Sequence, residues 1–232
     1  MSQLDVLKRP LAWPARYPLP SMLRSGLVGW WPFDQRSGKI LRDRSGKRNN
    51  GTITGATWVP NGLSLDGTGD YITVTHVTGG SLDLTSPLSL LVQFSTTTTA
   101  EQSLIAKRTD ATQDWYEIEM ANNIIYFFFD NAGSTDYISK SSAGYNDGLK
   151  HTVLATHSGT HAIIYLDGKL VAEKDTTVSI PKNTKDLYIG ARDSTSILFT
   201  GKIYQAMMFN RTPNATEAKR LYEMTKSYVM GG

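Results

Sequence analysis

The sequence predicts an all-β protein, a two-sheet antiparallel sandwich with an extended N-terminal arm and one short C-terminal helix. Three observations predict it. In Gly26 to Asp34, GLVGWWPFD, residues Leu27, Gly29, Trp31 and Phe33 share one side of an extended strand while Val28, Trp30 and Pro32 share the other. Both faces of that strand are apolar, so it belongs inside a sandwich. Short segments rich in Val, Ile, Tyr, Phe and Thr recur between Gly, Asn and Asp turns along most of the chain, the pattern of an antiparallel sandwich. Leu166-Asp-Gly-Lys-Leu170 is a hairpin with an Asp-Gly turn, a strong local sign of paired strands.

Composition bounds the rest. A chain of 232 residues, 40% of them hydrophobic, is enough for one domain with a sizeable core. It has no cysteine, which excludes a disulfide framework, a thiolate metal site and a Cys nucleophile. Asp5, Lys8, Arg9 and Pro10 interrupt any leading apolar run, and no window approaches about 18 apolar residues. The expectation is a soluble protein made in the cytoplasm without a signal peptide, with no membrane partner. Charge is uneven: residues 1–48 hold ten Lys and Arg against Asp5, Asp34 and Asp43, a local +7, which leaves −4 for the remainder. A basic segment on an acidic body suggests docking onto an acidic surface; a solvated loop is the alternative.

Taken in order, residues 1–25 read as an arm and residues 26–232 as the body. The arm carries Pro10, Pro14, Pro18 and Pro20 among Leu11, Trp13, Tyr17, Leu19 and Leu23. Proline at this density disfavours a helix and favours an extended, partly polyproline backbone suited to lying on a neighbour. After the strand at Gly26, the loop Asp43 to Gly51 is rich in residues that bond their own backbone. Strands follow at 53–58, 62–65 and 71–75 around the turn Asp66-Gly-Thr-Gly-Asp70. Tyr126-Phe-Phe-Phe129 has apolar residues on both faces, predicting burial on both sides or against a partner. Only the C-terminus looks helical. Pro213 precedes it, Asn214 and Glu217 form a capping box, and Ala218, Leu221, Tyr222 and Thr225 share a face. That helix is expected to cap one end of the sandwich.

Several of these stretches together resemble one family. The GLVGWWPFD strand, the Asp-x-Ser-Gly-x-x-Asn-x-Gly loop at 43–51 and Leu65-Asp-Gly-Thr-Gly-Asp-Tyr-Ile-Thr-Val74 are similar to the opening of laminin-G-like, concanavalin A-like jelly-roll domains. Ser103 to Lys107, Asp147-Gly-Leu-Lys-His-Thr-Val153, Tyr165 to Val171 and Leu187-Tyr-Ile-Gly190 continue the resemblance, which runs from about Gly26 to Tyr222. Lys150 stands where the family commonly has Trp. The resemblance implies a jelly-roll sandwich and a structural role for His151.

It also raises three kinds of site. Laminin-G modules often hold Ca²⁺ at the rim through two Asp side chains and backbone carbonyls, which by motif position implies Asp114 and Asp193. The preferred reading makes both turn formers and assigns no cofactor, since no dense acidic loop accompanies them. Glycan binding would need aromatic platforms beside polar groups, with Trp115, Tyr116 and Tyr145 as candidates and core packing as the alternative for each. Glucanases of the wider group set three carboxylates at alternate positions of one strand. Here Glu117 and Glu119 fill two, but the third is Ala121, and the pair is expected on a solvated sheet face. No Gly-x-Ser-x-Gly elbow accompanies the four histidines, and the basic residues from Arg36 to Arg48 lack interleaved aromatics, so no nucleic-acid partner is expected.

A short Pro-rich arm joined to a single module of this kind resembles proteins encoded among tailed-phage structural genes, and the resemblance implies a non-catalytic virion structural protein, a capsid decoration or tail-associated protein of the phage particle, which is the favoured reading. The arm would anchor it to other structural proteins of a large assembly through Arg9, Leu11, Trp13, Arg16, Tyr17, Leu19, Leu23 and Arg24, a mixture of aromatic, aliphatic and Arg anchors. A homo-oligomer and a glycan are further partners this reading leaves open. The alternatives are a lectin-like carbohydrate-binding adhesin and, less favoured, a glycoside hydrolase.

Overall fold

The computed structural model describes residues 19–108, 114–141 and 144–227. Within these residues, sixteen strands form two antiparallel sheets of eight. The first sheet runs β14 (Lys169–Asp175), β13 (His161–Leu166), β12 (His151–His157), β7 (Leu88–Ser95), β16 (Thr200–Phe209), β5 (Gly62–Asp66) and β4 (Thr57–Val59), and β1 (Leu27–Trp31) also pairs with β16. The second runs β11 (Ser134–Ser141), β10 (Ile124–Asn131), β9 (Tyr116–Ala121), β8 (Gln102–Lys107), β15 (Leu187–Ile189), β6 (Tyr71–Val74), β3 (Gly51–Thr54) and β2 (Ile40–Leu41). The all-β sandwich predicted from the sequence is the fold observed.

The inner faces bury one core. Leu88, Leu90, Val92 and Phe94 of β7 face Ile118 and Met120 of β9 and Ile125, Phe127 and Phe129 of β10 within it. β1 does not alternate as the pattern predicts. A bulge between Leu27 and Gly29 shifts the register, so Val28, Trp31 and Phe33 enter the main core while Leu27 and Trp30 turn to the other side. A Cβ on Gly29 would fall 2.4 Å from the Trp31 ring, so only glycine lets the indole fold over its own strand. The Asp43 loop locks this strand in place. Asp43 Oδ1 accepts from the backbone N–H groups of Trp30 (3.0 Å) and Ser45, Oδ2 accepts from Asn49 N–H, and Asn49 Nδ2 donates to Val28 O at 2.7 Å.

A second core lies on the outward face of the first sheet. Leu91, Leu154, Tyr165, Met207 and Phe209 project there and are covered by helix α2 (Ala215–Ser227), through Ala218 and Leu221, and by the segment that carries the one-turn helix α1 (Ser21–Arg24). Three expectations are corrected here. Helix α2 lies over a sheet face rather than at one end of the sandwich, because those five outward side chains need a cover. Leu19 and Leu23, expected as anchors for a partner, are buried in their own molecule, Leu23 with 2% of its surface exposed. The end of the proline-rich segment is a helical turn rather than extended chain, with Pro20 at its N-cap, where a missing N–H costs nothing. Arg24 Nε donates to Leu19 O at 2.9 Å and braces that turn. Arg9, Leu11, Trp13, Arg16 and Tyr17 lie outside the described residues. Among the described residues, no helix is long and apolar enough to cross a membrane.

The first sheet is therefore covered on both faces. Among the described residues, the outward face of the second sheet has no such layer of helix.

Candidate functional site

Antiparallel pairing places registered residues side by side on one face. Across the outward face of the second sheet one such row runs Tyr137, Phe128, Glu117, Ala106, Tyr188, Thr73, Thr52 and Ile40. A neighbouring row runs Ser139, Tyr126, Glu119 and Ser103. The β10–β11 end of these rows is aromatic. Tyr126 and Phe128 stack at 5.1 Å and 17°, Tyr137 packs against both at 5.9 and 5.3 Å, and Trp115 sits 6.3 Å from Phe128. Tyr126 and Phe128 are half-buried and Tyr137 is 48% exposed. Phe127 and Phe129, between them in sequence, point into the core. The Tyr126 to Phe129 run is thus buried on one side and open on the other.

Beside the aromatics lies a charged cluster. Glu117 and Glu119 share this face, as the alternation requires, but they are not solvated. Glu117 has 0% of its surface exposed and Glu119 5%. Arg108 Nη1 donates to Glu117 Oε2 at 3.0 Å, Arg192 Nε donates to the same carboxylate at 3.1 Å, and Arg192 Nη2 reaches both Glu119 and, at 3.4 Å, Glu101. The guanidinium of Arg108 also lies 3.5 Å over the Trp115 ring, a cation–π contact. The expectation of a solvated pair fails because Arg192, far along the chain, lies across both carboxylates. Burial pushes the Glu117 carboxyl above its ordinary range, with Arg192 and Arg108 pulling against it. Burial and the charge of Glu117 push Glu119 up to about 7.

The candidates read from the sequence scatter. Trp115 lies on the rim of the aromatic patch, mostly buried beneath Arg108. Tyr116 points the other way, into the main core, and burial drives its hydroxyl well above the ordinary tyrosine range. Tyr145 also belongs to that core, edge-on to His151 at 5.5 Å. Neither Tyr116 nor Tyr145 joins a platform, since the strand alternation and the His151 packing commit their rings inward. His151 is held by Asp167 at 2.8 Å and Asp147 at 3.2 Å, which raise its pKa. Asp114 Oδ1 accepts from Ala132 N–H at 2.7 Å, and Asp193 accepts from the Thr195 and Ser196 N–H groups. Both close turns. Among the described residues, no group of three or more His, Asp or Glu is arranged to hold a metal ion.

Sequence reasoning passed over Tyr126, Phe128 and Tyr137 as a group. The signal was available: a two-residue turn at Ala132-Gly133 fixes the hairpin register and sets Tyr137 opposite Phe128. Arg108 and Arg192 had no local signal.

A family model described as the Concanavalin A-like lectin/glucanases superfamily matches residues 66–219. The chain belongs to this superfamily, in its laminin-G-like branch. Among solved structures it is similar to a Trypanosoma rangeli sialidase in complex with sialic acid, with TM-score 0.69 and 16% identity over 93% of this chain and 35% of that one. It is also similar to the binding domain of botulinum neurotoxin DC in complex with SialylT (TM-score 0.67, 15% identity, 88% of this chain and 52% of that one). A third similar structure, of botulinum neurotoxin type C, is described by cell entry that depends on two ganglioside molecules (TM-score 0.69, 14% identity, 88% and 52%). The chain spans about a third to a half of the length of these structures. At such identities the likeness is one of fold. No curated protein matches the sequence.

Proposed function

We propose that this chain is a non-catalytic, lectin-like carbohydrate-binding module whose glycan lies on the β10–β11 end of the second sheet's outward face. The observation that carries the reading is the partly exposed set of Tyr126, Phe128 and Tyr137 rings, with charged side chains at its margin. A pyranose presents C–H groups on one face, which pack on aromatic rings, and hydroxyls at its edge, which need polar partners. Lys174, whose Nζ lies 5.9 Å from the Tyr137 ring centre, and Arg108 on the Trp115 side stand where such hydroxyls would fall. The toxin binding domain and the sialidase of the same fold, in complex with SialylT and sialic acid, support the reading.

Hydrolysis is not favoured. A retaining mechanism needs two carboxylates that both reach the scissile bond, whereas Glu117 is sealed beneath two guanidinium groups. The test is a glycan array followed by titration of the best ligand against Tyr137→Ala and Phe128→Ala. At least a tenfold loss of affinity is expected in each, with unchanged circular dichroism. Undiminished binding in both folded variants would overturn the assignment.

The virion structural role is a second reading, carried by the composition of residues 1–18, where Arg9, Arg16, Leu11, Trp13 and Tyr17 alternate with prolines. In it the sandwich is the displayed body and this segment the anchor. Because Leu19 and Leu23 belong to the body, the informative truncation removes residues 2–18. The folded remainder should no longer join the particle; retained incorporation counts against the anchor.

A further inference from the structure

At the opposite edge of the same outward face, where the register row ends on Ile40, the loops on either side of β2 border an open groove of about 710 Å³. It is lined by Gln35, Lys39, Ile40, Arg42, Arg44 and Asn50, among others. We propose that this groove is a second binding site, specific for acidic polysaccharide.

Charge is the first argument. Residues 34–50 hold six Lys and Arg against Asp34 and Asp43, on a chain whose residues after 48 sum to −4. The two acids are already spent. Asp43 accepts at both oxygens, from the N–H groups of Trp30, Ser45 and Asn49 and from the Ser45 hydroxyl, and Asp34 pairs with Arg44 at 3.0 Å. Lys39 and Arg42 are exposed, and neither side chain has an ion-pair partner among the described residues. Two unpaired cations beside one groove create a local potential that draws anions, and a guanidinium accepts a carboxylate with two parallel hydrogen bonds.

Pre-formation is the second argument. Gln35 spans the groove's backbone, its Nε2 donating to Ile40 O and its Oε1 accepting from Arg42 N–H, both at 2.6 Å. Trp58 Nε1 donates to Gly38 O at 2.8 Å. These bonds fix the loop on β2, so little ordering cost is left for a ligand to meet.

The lining also selects the kind of polyanion. It contains no aromatic side chain, so it offers no surface for stacked bases and does not fit single-stranded nucleic acid. It does offer a half-exposed Ile40 with Ser37 and Asn50, suited to sugar C–H and hydroxyl groups. A groove of this size matches an ordinary small-ligand site of roughly 300–1,000 Å³. Seven inter-strand steps of ~4.8 Å separate it from Tyr137, roughly 34 Å, so the site stands apart from the aromatic patch and does not depend on it.

Polygalacturonate, neutral dextran and a DNA duplex are titrated against the full chain, Lys39→Ala/Arg42→Ala, and Lys169→Ala/Lys219→Ala, which removes the same charge elsewhere. Polygalacturonate alone is expected to bind the full chain well. Its Kd should rise at least tenfold in the groove variant and less than threefold in the control, with a shallower salt dependence in the former. Absence of polygalacturonate binding at low salt, or equal losses in the two variants, overturns the proposal. So does a DNA duplex that binds as tightly and is weakened in the same way, which would make the groove a general polyanion site. Tyr137→Ala should leave polygalacturonate binding unchanged, so failure of the aromatic-face reading and failure of this one are told apart.

Discussion

Glu119 and His157 place opposite pH dependences in one small molecule. Glu119, pushed up to about 7, holds its proton more tightly folded than unfolded, where an ordinary glutamate titrates near 4.3. Its contribution to stability is fully present below about 4.5 and is lost as pH rises through 7. His157 is fully buried in neutral form, its ring 4.4 Å from Phe129 and its Nδ1 bonded to Ser86 Oγ and Gly159 N–H. Burial lowers its pKa to about 4, so its contribution is present above about 6.5 and is lost on acidification through 4. Between about 4.5 and 6.5 the two oppose each other and the wild-type curve should be shallow. Replacement by Glu119→Gln should expose the difference: relative to wild type, the variant gains about 1–3 kcal/mol as pH rises from 4.5 to 7.5, read by urea unfolding at several pH values. A difference curve that is flat over that window would mean that Arg192 fully compensates the carboxylate. Arg192→Met removes that compensation and should cost about 3–5 kcal/mol near pH 7.5, with a smaller loss at pH 5. None of this was legible in the sequence. Glu117-Ile-Glu119 shows two carboxylates on one face, but nothing local shows an arginine some 75 residues away lying across them.

Elements were legible where the chain carries its own reasons for a turn or an end. Asp43 and Asn49 close the loop after β1, Asp167-Gly168 turns β13 into β14, and Asn214 and Glu217 exchange bonds of 2.9 and 3.0 Å at the start of α2. What an element rests against was not legible. The helical face Ala218, Leu221 and Thr225 is plain in the periodicity, but its counterpart consists of single residues on four strands, Leu91, Leu154, Tyr165 and Met207. The same holds for Leu23, whose neighbours in sequence suggested an anchor and whose neighbours in space make it core. Leu23→Ala should therefore cost about 2–4 kcal/mol, and removal of residues 2–24 should lower Tm by several degrees. Asn214→Ala should cost about 1 kcal/mol. Thermal unfolding of the three variants orders them, and a Leu23→Ala protein as stable as wild type would return that residue to the surface.

At the scale of the molecule, the asymmetry between the sheets decides where function can sit. The first sheet has core on both faces, and its central strands are buried, β7 and β12 along almost their whole length and β16 from Gln205 to Phe209. Among the described residues the second has an apolar core on its inner face only, its outward face at β8 and β9 being buried under the Arg108 and Arg192 ion pairs, and its edge strand β11 exposes Ser134, Thr135 and Tyr137. Local opening costs least where backbone bonds are exposed and few apolar groups hold them. Amide exchange should therefore be slowest in β7, β12 and β16 and faster by at least an order of magnitude in β10 and β11, the strands that carry Tyr126, Phe128 and Tyr137. A ligand that binds only the folded state suppresses openings at its site. A bound glycan should slow exchange in β10–β11 and leave residues 35–44 unchanged, while polygalacturonate should do the reverse. Protection by either ligand on β7 or β16 alone would place binding on the covered sheet, and the division of labour between the two sheets would have to be abandoned.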